Sequence, residues 1–150
     1  MNEGFIEPAY QEGASGDESE TPDWLFRALD HEFKFDLDAA ATAGNSKCGR
    51  SFFSKEQNAL QHPWRDWKAI FVNPSYSDIQ PWVDKAFQEQ DSTIVMLLPV
   101  FADKKWFCRI MRSPRCEVRF FNRRIRFCFN GKPLGQPRFA SMVVIFRRDV

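Results

Sequence analysis

Apolar and polar positions along the chain switch repeatedly between helical spacing and strict alternation. Thr21-Pro22-Asp23 reads as a helix start, with Thr as the cap, Pro in the first turn and an acid beside it. Trp24, Leu25, Ala28 and Leu29 then follow at helical spacing. The alternation Phe33-Lys34-Phe35-Asp36-Leu37-Asp38 predicts a strand that ends at Asp38 and opens into Ala39-Ala40-Ala41. A polar loop through Gly44 and Gly49 follows, then a short strand over 51–54 and an irregular stretch or single helical turn over 57–66. Residues 69–73 predict a buried strand, 79–90 a helix with Trp82, Val83, Ala86 and Phe87 on one face, and 93–98 a strand covered on both faces and stopped by Pro99. A helix over 103–111 turns Trp106, Phe107 and Ile110 inward. The end of the chain reads as strands over 117–121, 125–129 and 142–146, with a turn at Asn130-Gly131. Strands alternating with helices and a hairpin-like end predict a mainly parallel α/β sheet with antiparallel strands at one edge.

Composition bounds this picture. The 150 residues suit one domain, read as 21–150 behind an acidic, aliphatic-poor flexible tail over 1–20. The net charge of +1 conceals a split, with acids crowding the start and arginines the end, so the basic half fits a polyanionic partner. Cys48, Cys108, Cys116 and Cys128 form no C-x-x-C pair, and His31 and His62 are not spaced as zinc ligands, so no metal site is expected. The acidic start lacks the apolar segment of a signal peptide, which predicts a cytoplasmic protein with reduced thiols. No apolar run reaches the roughly 20 residues that cross a bilayer, so no membrane partner is expected.

The chemistry-bearing stretch is Ile70-Phe71-Val72-Asn73-Pro74-Ser75-Tyr76. An apolar strand stops there and presents an amide, a constrained carbonyl and an aromatic ring, at the position where open α/β sheets bind ligands. Asn-Pro-Ser after a strand is also ordinary turn chemistry. The Asn-Pro-x-aromatic order resembles the catalytic motif of amino-methyltransferases acting on nucleic acid bases. The exocyclic amine of such a base is a poor nucleophile, because its lone pair is delocalised into the ring. The Asn73 side-chain oxygen and the Pro74 carbonyl would accept its two hydrogens and favour a tetrahedral nitrogen, and Tyr76 would hold a base taken out of the stack. Thr21-Pro22, Asp38 and Asp103 each have a bland alternative beside a role at the site: a cap, a loop charge and a helix N-cap.

In linked order, Thr21-Pro22, Phe35-Asp36-Leu37-Asp38-Ala39-Ala40, Asn45-Ser46-Lys47-Cys48, Trp64, Val72-Asn73-Pro74-Ser75-Tyr76, Leu97-Leu98-Pro99 and Arg124-Ile125-Arg126-Phe127 resemble the phage and prophage DNA N6-adenine methyltransferase family, over roughly 21–130. The resemblance implies an abbreviated Rossmann-like class I methyltransferase sheet and S-adenosylmethionine as methyl donor. It implies a catalytic centre of Asn73, Pro74, Ser75 and Tyr76, with Thr21, Pro22, Asp38, Ala39 and Asn73 beside the cofactor. The implied activity is site-specific N6 methylation of a flipped adenine in double-stranded DNA, in a host bacterial cytoplasm, with protection against restriction as the family-level purpose. Two features depart from the pattern. Ser75 stands where the usual motif has a second Pro, and Ala39-Ala40-Ala41 stand where class I enzymes carry a glycine-rich loop. Only about thirty residues separate Asp38 from the next strand, too few for two full strand–helix units, so the sheet should be short. Arg112, Arg115, Arg123 and Arg124 are the candidates for phosphate contact. The alternative readings are a decayed methyltransferase scaffold that binds DNA or protein, and methylation of RNA or another amine.

Overall fold

The computed structural model describes residues 20–40, 58–135 and 139–148. Its frame is a five-stranded sheet ordered β1-β2-β3-β7-β4. The strands are β1 (Leu37–Asp38), β2 (Ala69–Val72), β3 (Thr93–Pro99), β4 (Cys116–Phe120) and β7 (Ser141–Phe146), while β5 (Cys128–Phe129) and β6 (Lys132–Pro133) form a separate ribbon. β1, β2 and β3 pair in parallel, and β7 runs against both β3 and β4. This is a mixed α/β fold with a mostly parallel sheet.

Both faces of the central strands are covered, which is why their sequences are unbroken apolar runs. Ala69, Phe71, Val95, Leu97, Val143 and Ile145 face α1 (Asp23–Phe33) through Leu25, Phe26 and Leu29. Ile70, Val72, Ile94, Met96, Val144 and Phe146 face the opposite core, built with α2 (Gln80–Gln88) and α3 (Lys105–Arg112) through Val83, Ala86, Trp106 and Ile110. Trp64, fully buried, donates its indole N–H to the Ala59 carbonyl at 2.9 Å and closes the short 3-10 turn Ala59–Gln61 over that second core.

Several sequence expectations are corrected. The N-cap position of α1 is Pro22, with no side-chain cap, so Thr21 is not a cap; it is 3% exposed, and the Pro22 carbonyl accepts from Leu25 and Phe26. The expected strand over 33–38 shrinks to Leu37–Asp38, because α1 continues through Phe33 and ends at Lys34, whose φ of 54° breaks the helix. Asp36 instead uses its carboxylate, accepting from the Lys68 and Ala69 N–H groups at 3.0 Å, and so fixes the start of β2. Lys104, not Asp103, takes the N-cap position of α3.

The C-terminal strands β7 and β4 pair antiparallel at one edge of the sheet, with β4 outermost and β7 inside it. Ser141–Phe146 is buried at every position and needs partners on both sides, whereas β4 is half-buried, carries Glu117 and Arg119, and tolerates the edge. Within 125–129 only Cys128–Phe129 pair as strand, because Ile125 and Phe127 insert into the α1-side core. The Asn130-Gly131 turn is present, with φ of 50° and 74°, as a two-residue hairpin demands. The expected tail over 1–19 and the strand over 51–54 lie outside the described residues. Glu20, the last residue of that tail, pairs with Cys128 in both directions. Among the described residues no helix is long and apolar enough to cross a membrane.

Candidate functional site

β1 and β2 run side by side with Asp38 opposite Phe71, and the Ala39 N–H donates to the Phe71 carbonyl at 3.0 Å. Asn73 therefore emerges two residues beyond Asp38's partner, about 7 Å further along at strand rise. Asp38 is 4% exposed and Ala39 1%. α1 runs back towards the start of β1, which brings its own start, Thr21 and Pro22, to the carboxyl end of the sheet. The same end thus carries Thr21, Pro22, Asp38, Ala39 and the Asn73–Tyr76 loop.

Asn73 and Ser75 are half-buried and Pro74 is buried. The Ser75 and Ser77 hydroxyls lie 2.8 Å apart, and the Asp78 N–H donates to the Ser75 carbonyl at 3.3 Å. These local bonds brace the loop at the position where a second proline would have stiffened it. The Tyr76 ring is half-buried, edge-on to Phe127 at 5.8 Å and tilted against Phe139 at 5.6 Å. The Tyr76 and Ser141 hydroxyls are both buried and, among the described residues, neither has hydrogen-bond geometry to any partner. Burial holds the Tyr76 phenol well above its usual pKa, and the nearby Ser141 hydroxyl only partly offsets this. Tyr76 is therefore a neutral, packed ring throughout the physiological range. Phe139 and Ser141 join the site although sequence reading did not single them out, and Phe127, quoted there only within the Arg124-Ile125-Arg126-Phe127 stretch, joins it as a packing partner of Tyr76. The one local signal was Ser141, a small polar residue opening an otherwise apolar strand.

The arginines separate by strand direction. β3 ends at the site end, α3 returns from there to Arg112, and β4 climbs back to Phe120. Arg123 and Arg124 follow β4 and are exposed at the site end. Arg112 and Arg115 lie at the opposite end. Arg115 also has another use: its guanidinium donates to the carbonyls of Ala86 at 2.7 Å and Glu89 at 2.6 Å, at the end of α2, and to Arg147 at 2.6 Å. It is a helix C-cap and a tie to β7.

The family model described as DNA N-6-adenine-methyltransferase (Dam) matches residues 10–149. The DNA N-6-adenine-methyltransferase of Haemophilus phage HP1 (strain HP1c1) is 35% identical over 133 residues, covering 84% of this chain and 76% of that protein. The DNA N-6-adenine-methyltransferase of Escherichia phage T1 is 41% identical over 76 residues, covering 49% of this chain and 32% of that protein. The putative methyltransferase YfdM of Escherichia coli (strain K12) is 35% identical over 81 residues, covering 50% of this chain and 84% of that protein. With nearly the whole chain matched and most of the phage HP1 protein covered, this chain belongs to the DNA N-6-adenine-methyltransferase (Dam) family.

Proposed function

We propose that this chain is a site-specific DNA methyltransferase that places a methyl group on N6 of an adenine flipped out of the duplex, within the host bacterial cytoplasm. The observation that carries the reading is the parallel β1–β2 pair, which sets buried Asp38 beside the root of the Asn73-Pro74-Ser75-Tyr76 loop at one end of the sheet. The residues there suit S-adenosylmethionine. A buried carboxylate at a strand end accepts hydrogen bonds from hydroxyl or amino groups, and the small Ala39 lets a ligand approach the backbone closely. Asp38, Ala39, Thr21 and Pro22 would hold it, with Asn73 at the border between cofactor and base. When bound, S-adenosylmethionine supplies an electrophilic methyl group, and its sulfur leaves as a neutral thioether with the bonding pair.

Asn73 Oδ1 and the Pro74 carbonyl accept the two N6 hydrogens and draw the lone pair out of the adenine ring. This requires no strong base at the outset. The same two oxygens hold the surplus proton of the methylated nitrogen until water takes it. Tyr76, braced by Phe127 and Phe139, offers the aromatic support for the extruded base. Ser75 keeps the loop in shape through Ser77.

The test is transfer of labelled methyl from S-adenosylmethionine to unmethylated duplex DNA, beside Asn73→Ala. Label in N6-methyladenine that disappears in the folded variant is the expected result. Label that persists in the variant overturns the assigned centre. No label on varied DNA points to the decayed-scaffold reading, and preferential label in RNA reassigns the substrate. Tyr76→Ala is expected to weaken DNA capture more than cofactor binding.

A further inference from the structure

Between β4 and β7 the chain makes an excursion over 121–135 that leaves from the site end of the sheet. It contains Arg123, Arg124, Arg126 and Lys132 and no Asp or Glu. All four cations are exposed, as are Asn130 and Gly131 at the tip. The excursion is nevertheless anchored. Ile125 is 1% and Phe127 5% exposed, and Phe127 packs on Tyr76. The Leu134 N–H donates to the Phe127 carbonyl at 2.8 Å and closes the root of the β5–β6 ribbon. On the other side Glu20, next to Thr21, pairs with Cys128, and its carboxylate accepts from the Gly131 N–H at 3.3 Å. The ribbon is thus a rigid basic projection tied at its root to the catalytic loop and at its flank to the segment entering α1.

We propose that this arm is the DNA-reading element: the ribbon Cys128–Pro133 enters the major groove with Asn130 and Lys132 at base edges, while Arg123 and Arg126 hold flanking phosphates. The inference rests on the proposed DNA methyltransferase activity for its biological sense. A two-stranded ribbon fits the major groove, and amide and ammonium groups are the side-chain types that read adenine and guanine edges there. Phosphate contacts set the position while base contacts specify, which matches cations on the approach and an amide at the tip. The Asn130-Gly131 turn holds the tip at positive φ, so Asn130 projects from a fixed backbone.

The test uses the full chain and binding alone, so that it does not depend on methyl transfer. Affinity for a fluorescein-labelled duplex is measured against salt for the wild type, Arg123→Ala/Arg126→Ala and Arg112→Ala. Removing the two arm arginines should reduce the slope of log affinity against log salt by about 2, while Arg112→Ala, at the far end, leaves it unchanged. In parallel, duplexes bound from a randomised pool are sequenced for the wild type and for Asn130→Gly/Lys132→Ala, which keeps a residue suited to positive φ in the turn. Loss of base preference at one or two positions, with unchanged thermal melting, is the expected result. An unaltered preference overturns the reading role, equal slopes in all variants overturn the phosphate role, and a wild type that binds no duplex overturns both. A protein that binds through the arm but transfers no methyl leaves this inference standing and removes the proposed activity.

Discussion

Tyr76 is the residue whose environment departs furthest from its sequence reading. From the motif it is an aromatic face for a base; in the fold it is also a buried phenol with Ser141 beside it and no satisfied hydrogen bond among the described residues. A buried hydroxyl left without a partner contributes a desolvation cost and little in return. Tyr76→Phe should therefore leave stability unchanged or raise it by up to about 1 kcal/mol in urea unfolding. A loss above about 2 kcal/mol would show that the hydroxyl has a strong partner after all. The ring contacts to Phe127 and Phe139 were beyond sequence reading, since Phe127 comes from the 121–135 excursion and Phe139 from the approach to β7, far along the chain from Tyr76 and brought to it by tertiary packing. The strand end at Asn73 was legible, because it follows the apolar run Ile70-Phe71-Val72 that has to be a strand, whereas Asp38 closes an alternating stretch of which only Leu37–Asp38 is strand.

Arg115 acts at the scale of elements. α2 ends at Gln88, and the last carbonyls of a helix have no partner within it. The planar guanidinium reaches several of them at once and also the backbone of Arg147 past β7. Arg115→Ala is expected to cost about 2 kcal/mol or more by urea unfolding, and Arg115→Lys to recover less than half, because an ammonium cannot span the same fork. If Arg115→Ala weakened DNA binding at full stability, the capping role would be refuted. The helices and central strands were read within a few residues, since burial on both faces leaves an unmistakable apolar run. The misread stretch was 33–38, where alternation looked like a strand but Phe33 completes a helix and Lys34 turns left-handed to end it.

Across the whole molecule, α1 is tied to the far side of the sheet by charge. Arg119 holds both oxygens of Glu32, at 2.6 and 2.9 Å, and bonds Glu117, which also meets Arg147. Arg119 lowers the Glu32 pKa, and Arg147 with Arg119 lowers that of Glu117. Folded carboxylates with lowered pKa values stabilise the fold above the ordinary carboxylate pKa, and this contribution is lost as pH falls through the folded values. The groups are well exposed, so the contribution should stay under about 1 kcal/mol. Thermal melting of the wild type and Glu117→Gln is expected to differ at neutral pH and to converge below about pH 4. A difference that persisted in acid would mean that shape, not charge, makes the contact.

Sequence alone determined where the buried strands run, that one of them stops at Asn73-Pro74-Ser75-Tyr76, and which family the linked motifs resemble. These follow from local rules: periodicity, turn chemistry and order along the chain. Tertiary structure decided which end of the sheet each residue occupies. Four arginines looked equivalent as phosphate ligands, yet strand direction carries Arg123 and Arg124 to the site end and Arg112 and Arg115 to the other. It also placed the fully buried β7 between β3 and β4, leaving β4 as the edge strand of the antiparallel pair. Pairing partners are chosen by burial between segments far apart in the chain, and no local window of sequence contains that choice.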